Sequence, residues 1–162
     1  MNKFLIIPLT FLAASCGGND EVASGTFDDG EGGKASYSVS GDADDSETVI
    51  KTDKGEVRIA SGDKASKDLP MGLKLYPGAT VQSSMTGAGE GKSGAMVVFQ
   101  SSDSQDEVIA FYKDQMKSKG IEVKAEINAG DMQMIGGEGL NVSVTKTGDG
   151  GVTATLIAGE GN

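Results

Sequence analysis

The residue types able to do chemistry in this chain are carboxylates, hydroxyls and one thiol. Twenty-four Asp or Glu stand against fourteen Lys or Arg, and there is no His, no Trp and a single Cys, Cys16. Without His no Ser–His–Asp or Cys–His nucleophile can be assembled, and no His-ligated zinc site. One Cys excludes an intramolecular disulfide and any CxxC pair. That leaves carboxylates as the acid or base of a hydrolase, with Asp106, Glu107 and Asp131 as the candidates. No two of them sit in settings that would push their pKa values apart.

Oxygen ligation of a divalent cation is a second possibility. Asp28, Asp29 and Glu31 form one acidic group, and Asp42, Asp44, Asp45 and Glu47 another. The second opens D-x-D like a calcium loop but lacks the Gly at position six and the Glu at position twelve. No metal site is expected from either group. Gly87 to Ser93 (GAGEGKS) ends like a phosphate-binding loop, yet the first required glycine falls on Thr86, and Ala95 to Gln100 reads as a strand rather than a helix. Ser61 to Lys64 and Lys146 to Gly148 spell S-x-x-K and K-T-G, but Ser61 lies in a polar connector and no S-D-N lies between them. No cofactor site and no catalytic residue are expected.

The charge of −10 argues against nucleic acid as a partner, because phosphates demand a positive footprint. Lys3 precedes an apolar run of eleven residues, Phe4 to Ala14, interrupted by Pro8. That run is far shorter than the roughly 20 residues that span a bilayer, and reads as an export signal. It ends in Leu12-Ala13-Ala14-Ser15-Cys16-Gly17.

This junction resembles the lipobox of bacterial lipoproteins, with Leu12 one place further from the Cys than the family usually has it. The resemblance implies cleavage between Ser15 and Cys16, a diacylglyceryl thioether on Cys16 and acylation of the new amine. Several acyl chains, at about 0.8 kcal/mol per buried CH₂, anchor stably where one would not. Gly17, in place of the Asp typical of inner-membrane retention, implies an outer-membrane lipoprotein facing the periplasm if the cell has two membranes. The competing reading is an ordinary signal peptide with Cys16 left as a free thiol.

Residues 1–15 are thus read as signal peptide, and the remaining 147 residues divide by composition. Residues 16–33 are acidic and Gly-rich, the makeup of a flexible tether. In 34–62, Ala35, Tyr37 and Val39 alternate with serines, and two short apolar runs flank Asp53-Lys54-Gly55, which predicts a β-hairpin segment. Residues 63–75 are a connector, and 76–162 an α+β domain.

In that domain Ser104-Gln105-Asp106-Glu107 is a capping box, and Gly120 is placed to stop the helix, which predicts one from about Gln105 to Lys119. Val108, Ile109, Tyr112 and Met116 form its apolar stripe. Alternation of Ile121, Val123, Ala125 and Ile127 with charged residues predicts a strand with one buried face. Met132 to Val144 reads as one interrupted strand, and Val152 to Ala158 as the last. The expectation is a ββαβββ, α+β fold: five antiparallel strands with one helix on one face. Leu, Ile, Val and Phe supply only 27 of the 147 residues, so the core is thin.

Tyr76-Pro77-Gly78-Ala79, followed by Val108 to Lys113 (VIAFYK), resembles a pattern in small bacterial lipoproteins and secreted proteins. The resemblance covers about Leu69 to Ile127, implies a strand–helix–strand order, and assigns no catalytic residue. Function is therefore expected to be that of a lipid-anchored envelope protein with a non-catalytic binding or structural domain, held to the membrane by its lipid and open to an envelope protein partner. The alternative is a periplasmic binder of a small ligand or divalent cation, for which a pocket lined by Met96, Met132 and Met134 would speak. A carboxylate hydrolase ranks last.

Overall fold

The computed structural model describes residues 21–28 and 32–160; Ser15 and Cys16 lie outside the described residues. In chain order the strands are β1 (Glu21–Asp28), β2 (Lys34–Gly41), β3 (Ser46–Lys51), β4 (Gly55–Ser61), β5 (Thr80–Gly89) and β6 (Lys92–Ser101). After the helix α1 (Gln105–Ser118) come β7 (Val123–Ala129), β8 (Met132–Gly137), β9 (Leu140–Lys146) and β10 (Val152–Gly159). All ten form one antiparallel sheet in the order β1-β2-β3-β4-β5-β6-β10-β9-β8-β7.

This overturns the five-stranded ββαβββ expectation, for three physical reasons. First, Glu138-Gly139 is a two-residue turn rather than a break within a strand, with Gly139 at φ 70° and Gly137 paired to Leu140. One expected strand is therefore two. Second, β4 pairs with β5 from Gly55↔Gly89 to Ser61↔Ser83, so the hairpin segment continues the same sheet. Third, residues 21–28, whose composition reads as tether, form β1 against β2. Backbone pairing needs no apolar side chain, and Phe27 and Tyr37 add a ring contact at 6.5 Å between centroids.

The helix forms where its local signals lie. Glu107 N–H donates to Ser104 Oγ at 3.4 Å and Ser104 N–H to Glu107 Oε2 at 2.9 Å, which closes the capping box. At the other end Gly120, at φ 70°, donates to Lys117 O and Ile121 to Met116 O, a Schellman stop. The helix rests on β8 and β9 and buries Gln105, Val108, Ile109, Tyr112 and Met116. Against them pack Phe99, Leu140, Val142, Val144, Ala154 and Leu156, all fully buried. The connector between β4 and β5 covers the same face beside the helix, contributing buried Ala65 and Leu73.

Strand β7 departs from its expected amphipathic pattern, because every residue of it is exposed. It is an edge strand paired only with β8, and a bulge between Val123 and Ala125 shifts its register. Only Ile121, just before it, packs on the core.

The end of helix α1 and the chain after it pack tightly against Gly137. A Cβ there would lie 2.5 Å from both Glu122 O and Met116 Cε and 2.7 Å from Ile121 Cγ2. Gly137→Ala is therefore expected to destabilise the domain by about 1–3 kcal/mol through overpacking. A thermal melt with an unchanged midpoint would contradict this placement.

Candidate functional site

Three chain turns converge at one end of the central strands. The first is Tyr76 to Ala79, closed by Ala79 N–H donating to Tyr76 O at 3.1 Å, with Gly78 at φ 73°. The second is the end of β6, where Asp103 N–H donates to Ser101 Oγ at 3.1 Å. The third joins β9 to β10, with Thr147 N–H donating to Gly151 O at 2.9 Å and Gly150 at φ 92°. Between them lies an open recess of about 460 Å³, lined by Thr80, Gln100, Ser101, Ser102, Thr147 and Asp149 among others.

The lining is hydroxyls, an amide and one carboxylate. The Thr147 hydroxyl, assisted by the backbone N–H groups of Asp149 and Gly151, holds the Asp149 carboxyl below its usual range. It is therefore charged at neutral pH. Such a surface can hydrogen-bond a small polar ligand and favours one with a positive group.

The YPGA and FY segments meet behind this recess and brace it. Tyr76 N–H donates to the Tyr112 hydroxyl at 3.2 Å, and the Tyr76 hydroxyl donates to Asp103 Oδ2 at 2.7 Å. Phe111 stands edge-on to both rings, at 5.2 Å from Tyr76 and 5.1 Å from Tyr112. Gln105 Nε2 donates to Asp131 O at 2.7 Å and Val144 O at 2.9 Å, fixing the helix start to the sheet.

Two of the carboxylates considered for hydrolysis are engaged structurally: Asp106 accepts from Gln133 Nε2 at 2.7 Å, and Glu107 belongs to the cap. Asp131 contributes its backbone carbonyl, which accepts from Gln105. The acidic loop is equally occupied: Asp42 accepts from the N–H groups of Asp44 and Asp45, Asp45 from Asp63 N–H at 2.7 Å, and Glu47 from Arg58 at 2.7 Å. Asp28 ends β1, while Asp29 and Glu31 lie outside the described residues. Among the described residues no three His, Cys, Asp or Glu are grouped to hold a metal.

Met96 on β6 and Met132 and Met134 on β8 share a sheet face but stand three strand spacings apart, about 14 Å. Glu90 and Gly91 form the β5–β6 hairpin turn at φ 51° and 77°, with no helix after them. Ser61 bonds Ser46 Oγ at 3.0 Å, and its strand lies four spacings from that of Lys146, about 19 Å.

Residues 81–155 match the family model described as START domain-like. The match runs from β5 into β10, which is the part of the sheet that packs around α1, and covers less than half of the chain. No curated protein and no solved structure matches the chain. The similarity is compatible with a ligand-binding role.

The two tyrosines give the brace a pH signature. The hydrogen bond to Asp103 pushes the Tyr76 phenol up to about 12, and burial raises Tyr112 further. An unfolded tyrosine ionises near about 10. The stability linked to these groups is thus complete below that pH and is lost as pH rises through the folded value. Thermal melts between pH 8 and 12 should show a steep alkaline decline, less steep in Tyr76→Phe. An identical profile for both proteins would rule out the linkage.

Proposed function

We propose that this chain is a bacterial envelope lipoprotein, anchored through Cys16, whose sheet-and-helix domain acts by binding rather than by catalysis. The observation that carries the binding role is the open polar recess at the ends of β6 and β9, lined by hydroxyls, the Gln100 amide and the Asp149 carboxylate. The START domain-like match over 81–155 supports the same direction. The anchor rests on the lipobox-like run before Cys16 and on the Gly at 17, which favours the outer membrane facing the periplasm. Four residues separate Cys16 from the start of β1, so the sheet edge stands close to the point of attachment.

A second reading, a carrier of a small polar ligand, is favoured by the recess itself, whose volume suits a compact molecule. Its polar lining speaks against an apolar cargo at that position.

Cys16→Ala is expected to move the protein out of the membrane fraction or leave it unprocessed. Fractionation identical to the natural protein would remove the anchor from the reading. A photo-crosslinking residue at Ser102, used in intact cells, should capture an envelope protein if the recess is a protein-docking site, and only a small-molecule adduct if it is a carrier site.

A further inference from the structure

The sheet has a second face, opposite α1, and its chemistry differs from the rest of the molecule. Following the register across the strands, the alternating positions of this face carry a single charged residue, Lys92 at the hairpin tip. The chain as a whole carries thirty-eight charged side chains. The helix-side positions of β3 and β4 alone hold Glu47, Lys51, Glu56 and Arg58. Nine of the eleven large apolar side chains exposed among the described residues sit on the uncharged face; the other two, Val22 and Val123, sit at bulges.

Two adjacent rows cross the middle of this face. One is a ridge of directly paired residues: Ile59, Met85, Met96 and Ile157, exposed by 42 %, 41 %, 36 % and 49 %. The other, about 6.6 Å along the strands, is a trench: Val57, Gly87, Gly94 and Gly159. The fold does not require glycine in the trench. None of the three has positive φ, and a Cβ would find its nearest neighbour at 4.0 Å in Gly87, 3.6 Å in Gly94 and 3.5 Å in Gly159. Glycine inside a strand weakens it, and where no turn or bulge calls for it, it marks a close approach by another surface.

We infer that this face is the interface of a two-fold dimer of the chain, with the ridge of each copy seated in the glycine trench of the other. A two-fold axis running across the strands, between the two rows, places Met85 over the second copy's Gly87, Met96 over its Gly94 and Ile157 over its Gly159. The strands of the two copies then stay aligned, as in face-packed sheets about 10 Å apart. Ten strands about 4.8 Å apart and about six residues long give a face of roughly 850 Å². Two such faces bury roughly 1,700 Å², the size of a stable specific interface.

Charge selects the same occupant. A partner recognised through basic or acidic groups would meet only Lys92, at the hairpin tip, whereas a second copy brings one nearly uncharged face against another. The acids of both copies stay on the outer faces and edges.

Sedimentation velocity of the full chain in neutral detergent, from about 1 to 100 μM, tests this. The natural protein is expected to sediment as a dimer at the higher concentrations. Gly94→Ala, which has room within its own sheet, should keep the circular dichroism and melting midpoint or raise the latter, yet weaken dimerisation at least tenfold. Met96→Lys should give a folded monomer. A natural protein monomeric throughout the range would overturn the proposal, whether or not another protein or a lipid binds the face. So would a Gly94→Ala dimer as tight as the natural one.

Discussion

Helix α1 cannot cover ten strands, and most of the character of the described residues follows from that mismatch. A fourteen-residue helix is about 21 Å long, whereas ten strands span about 43 Å across the sheet. The buried apolar residues therefore gather where the helix and connector lie, over β5, β6 and β8 to β10. Beyond that cover the same face changes from Val and Leu to the ion-paired Glu47, Glu56 and Arg58. The strands β1 to β4 are held by backbone pairing and by continuity with β5, not by a core of their own. The thin supply of large apolar residues is sufficient because it is concentrated at one end.

Within that end, the position of the helix is fixed by polar contacts as much as by burial. Gln105 ties its first turn to two carbonyls of the sheet, and the Tyr112 hydroxyl accepts from the chain at Tyr76. Each places a hydrogen bond where an unpaired buried group would cost about 1–3 kcal/mol. Because Tyr76 also reaches Asp103 beside the end of β6, the same contacts that seat the helix shape the rim of the recess. Fold and candidate site share one set of bonds, so a substitution at Tyr76 or Tyr112 acts on both.

The parts legible in the sequence were those whose cause is local. Ser104, Glu107 and Gly120 delimit the helix within a few residues, and the β3–β4 turn follows from Asp53-Lys54-Gly55, where the Thr52 hydroxyl accepts from the N–H groups of Lys54 and Gly55. What was not legible depends on pairing across the chain. The polar composition of 21–28 carries no sign of β1, whose partner supplies the order. Glycines at 136, 137 and 139 disguise a tight hairpin as an irregular strand. The alternation in β7 looks like a buried face, although at a sheet edge nothing covers it. The recess is hidden for the same reason: Pro77-Gly78 and Thr147 to Gly151 each read as turns, but their meeting with Ser101 arises from β10 pairing with β6.

An apolar sheet face and two open edges would ordinarily invite unlimited assembly, and the way the edges are built bears on this. Each edge strand is interrupted by a bulge, between Glu21 and Ala23 in β1 and between Val123 and Ala125 in β7. Around the second bulge stand Glu122, Lys124 and Glu126, the last two paired with Glu138 and Lys113. Bulges and charges at an edge oppose strand addition. Growth edge to edge is thereby disfavoured while the uncharged face remains available. A face that pairs with its own copy about a two-fold axis closes on itself, since each copy uses the same patch once. The arrangement directs association into a closed pair rather than a fibre.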